Sequence, residues 1–165
     1  MKSWAFLILA AALVFAFAQG APTAKAQGTP ADSAAQAWAA ISAENHKDAE
    51  AVRAKIKGVE NAPADSVFEN VKIQKGITAA HLVNAMEFGY ARALGARCTH
   101  CHVDGKYGSE DKKQKQVARD MMVMQKAIND SLLAKIPNLK SAKPVVNCTT
   151  CHRGQIKPAT SMAAH

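Results

Sequence analysis

The chain has 165 residues, with 21 Lys and Arg against 13 Asp and Glu, a formal charge of +8, and is 48% hydrophobic but only 5% aromatic. That length suits one ordinary domain rather than two. The basic excess forms no cluster alternating with aromatics, which excludes a typical nucleic-acid surface and points to acidic proteins or membrane-bound complexes as partners.

Lys2 precedes an apolar run, WAFLILAAALVFAFA, from Trp4 to Ala18, and small residues follow with Ala24-Lys25-Ala26 as an A-x-A site. That order is a secretory signal peptide and predicts removal of residues 1–26 by a cut before Gln27. The run is shorter than the roughly 20 residues of a spanning helix, so an uncleaved anchor is the lesser reading. The mature chain is expected to be periplasmic, with no transmembrane segment and a formal charge of +6. The leader also takes four aromatics with it. Only Trp38, Phe68, Phe88, Tyr90 and Tyr107 remain for an Ala-rich core, so something else must supply the area that aromatic side chains normally bury.

After a linker over 27–32, the stretch from Ser33 to Gly58 reads as a moderately amphipathic helix, with Asp32 or Ser33 as N-cap and Gly58 as its stop. A connector with Pro63 and Gly76 follows, with a short ordered piece expected around Val67 to Ile73. Thr78 then caps a helix in which Leu82, Met86, Tyr90 and Ala93 recur at helical spacing, and Gly95 ends it. Past a polar loop, a helix from Val117 to Lys135 carries Val117, Met121, Met124, Ile128 and Leu132 on one stripe, with Met122 pointing elsewhere. The expected organisation is a helix and connector over 27–66, one domain over 67–156 and a flexible tail over 157–165.

Each Met-bearing helix leads to the same motif, Cys98-Thr99-His100-Cys101-His102 and Cys148-Thr149-Thr150-Cys151-His152. Cys-x-x-Cys-His sets two thiols about one helical turn apart to meet the two vinyl groups of haem, with an imidazole next in line for the iron. His102 and His152 are then iron ligands, and His100 is a spacer. Two disulfides would strain such short loops and leave the paired His residues unexplained. A four-cysteine zinc site over Cys98, Cys101, Cys148 and Cys151 leaves them unexplained as well. A thioredoxin-like dithiol lacks the strand and helix alternation that it sits in. The expectation is two haem c groups in a mostly α, c-type multihaem cytochrome with little regular sheet.

For the second axial position Met86 stands alone on its helix, whereas spacing leaves Met121 and Met124 both open at the second site. His81 and His46 are competing candidates that read better as exposed helix residues. Arg97 and Arg153, each beside a motif, are candidates for pairing with haem propionates.

From about Val67 to Gly154 the chain resembles the cytochrome subunit of bacterial photosynthetic reaction centres. The likeness lies in the helix ending ALGARCTHCH, in DKKQKQVARDMMVMQKAIN and in VNCTTCHRG. It implies a repeated unit of helix, turn and attachment motif, with Met opposite His, and it places Met121 ahead of Met124. There are departures: two motifs stand where the family's subunit has four, and no Cys is available for a lipid anchor. Lys135 stands where the family has a His serving a further haem, and Thr149 where an aromatic is common. The functional expectation is a carrier of single electrons rather than an enzyme. A fixed subunit of a larger respiratory or photosynthetic complex is the first alternative, and a dihaem peroxidase, which needs an open iron, is the second.

Overall fold

The computed structural model describes residues 30–161, so the expected leader and its cleavage site lie outside the described residues. Helix α1 spans Pro30–Lys55. Its Ala, Glu, Lys and Arg content favours helix, and Pro at a first turn costs no hydrogen bond. Asp32 and Ser33 therefore lie inside the helix rather than capping it, a correction of two to three residues to the sequence reading. Asn45 and Ala49 are buried along one face with Val52 half-buried, and Ile56, buried just past the end of the helix, continues the spacing of an amphipathic stripe. Gly58, at φ +92°, turns the chain back.

The ordered piece of the connector is α2 (Ala64–Val67), earlier than the expected Val67–Ile73. Pro63 and Asp65 explain the shift, since they sit just before and in the first turn of this short helix, while Asn70 and Gln74 adopt left-handed backbone beyond it. Three main-chain bonds fasten the connector to the next helix: Ala64 N to Ile77 O (2.7 Å), Ala79 N to Ala62 O (2.9 Å) and Ala80 N to Glu60 O (2.9 Å).

That helix opens as α3 (Ala79–Asn84), where Thr78 Oγ1 accepts from His81 N at 3.2 Å as the sequence predicts. It continues as a π-helical segment, Ala85–Ala91, and ends as α4 (Arg92–Leu94). Gly95, at φ +59°, closes it with Gly95 N to Arg92 O and Ala96 N to Ala91 O, a Schellman arrangement. Then come α5 (Cys98–Cys101), a polar loop, and α6 (Lys113–Ala127), which starts four residues before the expected Val117. A π-helical turn (Ile128–Leu132) and a 3-10 turn (Leu133–Lys135) extend α6, and α7 (Cys148–His152) follows a long loop. Among the described residues there are two isolated bridges and no strand, and no helix is long and apolar enough to cross a membrane.

The core lies between α1 and α3, where Ala49, Ile56, Ala79 and Val83 meet with Val52, Val67 and Phe68 packed around them. Leu82, Ala91, Ala93 and Ala96 extend it toward α4. Among the described residues no fully buried apolar side chain lies beyond Ala96. The stripe on α6 is real in register but not covered by protein, for Val117, Met121, Met124 and Leu132 are all exposed.

The two motif-bearing segments meet at a pair of glycines. Gly154 N donates to Ala93 O at 2.9 Å, and a Cβ on Gly95 would stand 2.0 Å from Gly154 O. Gly95→Ala should therefore destabilise the folded protein by more than the roughly 1–2 kcal/mol of a left-handed non-glycine residue alone, read as a lower urea midpoint. An unchanged midpoint would show that this contact does not hold the segments together.

Candidate functional site

Both motifs fold locally as single helical turns, so Cys98 and Cys101, like Cys148 and Cys151, share a helix face one turn apart. All four are free thiols. Burial pushes the Cys98, Cys101 and Cys148 thiols above their ordinary range, which keeps them protonated and uncharged at neutral pH. The two pairs do not converge: among the described residues no three His, Cys, Asp or Glu side chains gather as a metal site. The four-cysteine zinc arrangement is thus not assembled.

A neighbouring helix clamps the approach to each motif two residues before its first cysteine. At the first, Asn45 of α1, 1% exposed, donates Nδ2–H to Ala96 O and accepts from Cys98 N, both at 2.9 Å. At the second, Asn129 Nδ2 donates to Val146 O (2.9 Å) and its Oδ1 accepts from Val146 N (2.8 Å), while Gln125 Nε2 also donates to Val146 O (2.8 Å). Asn147 adds a capping box with Thr150 at the start of α7. Sequence reading missed these residues. The available signal was a poor helix former, Asn, placed mid-helix in α1 and late in the α6 pattern.

The two motif histidines are oriented alike. His102 Nδ1 lies 3.0 Å from Tyr107 O, and His152 Nδ1 lies 3.0 Å from Gln155 O. A carbonyl can only accept, so each Nδ1 carries a proton, and in the neutral ring the lone pair is on Nε2. The Tyr107 ring meets the His102 ring edge-on, with centroids 5.5 Å apart, fixing its plane. Burial pulls the His102 pKa below the usual imidazole range, which favours the neutral, lone-pair-bearing form.

Met86 is half-buried in the π-helical segment, which packs against α5. Beside it the buried Glu87 accepts from Arg53 Nη2 (2.6 Å) and His46 Nδ1 (2.9 Å) of α1, fastening that segment. His46 is exposed and committed to Glu87, and His81 is exposed on α3. His100 is a half-buried spacer. On α6, Met121 and Met124 are 43% and 50% exposed, whereas Met122 is half-buried and its Sδ accepts from Tyr90 Oη at 3.6 Å. Arg97 pairs with Glu44 at 3.3 Å, and Arg153 is exposed in left-handed backbone at the end of α7.

The residues fit haem c. Each site offers two protonated or exposed thiols one turn apart and an imidazole whose Nδ1–H is already spent on the main chain. Each also stands near a methionine-bearing helix, and the uncovered apolar stripe of α6 is surface of the kind a porphyrin can bury.

The protein family described as photosynthetic reaction centre cytochrome C subunit matches residues 20–164. Among curated proteins, the chain is 30% identical over 83 residues to cytochrome c-554 of Chloroflexus aurantiacus, covering 50% of this chain and 20% of that protein. It is 30% identical over 96 residues to the photosynthetic reaction center cytochrome c subunit of Thermochromatium tepidum (58% and 22%). The corresponding protein of Roseobacter denitrificans is 32% identical over 102 residues (58% and 26%). The matched stretch thus spans about a fifth to a quarter of these relatives.

Asn45→Ala would leave the buried Ala96 O and the half-buried Cys98 N–H without this partner. At about 1–3 kcal/mol for each unsatisfied group, the variant should lose about 2–6 kcal/mol in a urea titration; a loss below about 0.5 kcal/mol would show that α1 does not clamp the first motif.

Proposed function

The chain belongs to the photosynthetic reaction centre cytochrome c subunit family, and from that membership we propose that it is an exported dihaem cytochrome that carries single electrons between redox proteins in the periplasm. The observation that carries this reading is the repeated presentation of an imidazole with its Nδ1–H given to a main-chain carbonyl, directly after two free thiols one helical turn apart. Haem c, once attached, supplies one-electron chemistry at iron. The chain's residues do the holding: Cys98 and Cys101, and Cys148 and Cys151, provide the thioether sulfurs, and His102 and His152 provide Nε2 to the irons. Met86 is the second ligand at the first site, and Met121 at the second, with Met124 the alternative; Met122, whose Sδ accepts from Tyr90 Oη, is disfavoured. Arg97 and Arg153 are the flanking cations available to propionates.

His together with Met would leave a bound haem iron no open site, so it would exchange electrons without binding substrate, and Met would favour a higher potential than a second His. A peroxidase would need one iron left open, and a methionine-bearing helix at each site speaks against that. The domain that does this work is proposed to be 67–156, with residues 1–26 a leader. A fixed place in a larger complex is the second reading, supported by the relatives' names as subunits of a photosynthetic reaction centre. Recovery of the native protein only together with partner chains would replace the free carrier with that reading.

Met86→Ala and Met121→Ala should each remove one of two low-spin, Met-ligated signals in near-infrared and electron paramagnetic resonance spectra. Retention of both signals in Met121→Ala, with loss of one in Met124→Ala, would move the second ligand to Met124. Retention in all three variants would reject methionine ligation.

A further inference from the structure

The two motifs are held by different chemistry. The second rests on neutral amides, with Asn129 and Gln125 on Val146. The first has one amide as well, Asn45 on Ala96 O and Cys98 N, but adds ammonium groups. Lys115 Nζ donates to Tyr107 O (2.8 Å), Gly108 O (3.0 Å) and Ser109 O (3.0 Å), which uses all three of its donors, and its side chain is only 12% exposed. Lys112 Nζ donates to Thr99 O within α5 itself. Glu110 stands 3.5 Å from Lys115 but is committed to Arg119 through two bonds of 2.6 and 2.7 Å.

One of the carbonyls that Lys115 grips, Tyr107 O, is the acceptor for His102 Nδ1–H. A carbonyl sharing its lone pairs with an ammonium is a weaker acceptor for the imidazole. The His102 ring is then less imidazolate-like, its Nε2 a weaker donor, and ferric iron less stabilised relative to ferrous; the buried positive charge acts in the same direction. At His152 the accepting carbonyl is Gln155 O, and among the described residues no lysine or arginine donates to it.

We infer that Lys115 raises the reduction potential of the haem held by His102 by polarising the Tyr107 carbonyl, so that the chain carries two unequal electron sites. This rests on the haem ligation proposed above. Lys115 acts through Tyr107 and His102, as a positioning and tuning residue without contact to iron. Sequence reading places it in DKKQKQ, a run that looks like solvated surface.

The test is an optical redox titration of the haem-loaded full chain and its Lys115→Met, Lys115→Gln and Lys115→Arg variants, with haem content and the Met-ligated spectra checked first. In Lys115→Met one of the two one-electron waves should move to lower potential by about a tenfold change in the ferrous-to-ferric ratio, about 59 mV, while the other stays in place. The wave that moves should be the one that Met86→Ala perturbs. Lys115→Gln, which keeps donors but no charge, should move the same wave less, and Lys115→Arg should leave it near the wild-type position. Both waves unmoved in Lys115→Met or Lys115→Gln with two haems bound, or both moved equally, would overturn the inference and leave the ligation intact. A wild-type chain without covalent haem would instead overturn the ligation itself.

Discussion

A histidine ring offers a metal one nitrogen, and what holds the other nitrogen decides which one and at what angle. In this chain both candidate ligands give Nδ1–H to a main-chain carbonyl a few residues onward, Tyr107 O for His102 and Gln155 O for His152. The rest of the molecule can be understood as what keeps those carbonyls and the preceding thiols in place. Asn45 and Asn129 fix the backbone entering each motif, Lys115 fixes the loop that carries Tyr107, and the Gly154 amide on Ala93 O ties the end of the second motif to the helix before the first.

The packing is consistent with a cofactor as part of the interior. Among the described residues most of the buried apolar side chains are alanines, and such a core buries little apolar area for the length of the chain. The longer half of the motif-bearing region, around α6 and α7, exposes Met121, Met124 and Val145 instead of burying them. A helix with an apolar stripe normally finds a partner for it, and two covalently held porphyrins would supply one without adding residues. The functional consequence is that attachment and folding would be coupled, as they are for structural metals.

What the sequence makes legible here is what is local. The thiol and imidazole spacing, the Thr78 cap, the Gly95 stop and the stripe on α6 all follow from periods and turn chemistry within about ten residues. The residues that orient the sites were not legible, because their partners lie far along the chain: Asn45 reaches Cys98 across 53 positions and Glu87 reaches His46 across 41. Lys115 was hidden differently, since a buried ammonium and a solvated one look the same in a lysine-rich run. The misplaced α2 and the early starts of α1 and α6 were boundary shifts set by Pro63, by Pro30 and by good helix formers in KQKQ. Spacing alone also left Met121 and Met124 open, and both remain on the exposed face.

If each Cys-x-x-Cys-His turn holds one haem through its sulfurs and its Nε2, the intact mass of the exported, purified protein should equal apoprotein plus two haems. It should fall to apoprotein plus one haem when Cys148 and Cys151 are both replaced by Ser. A mass equal to the apoprotein alone would contradict haem attachment.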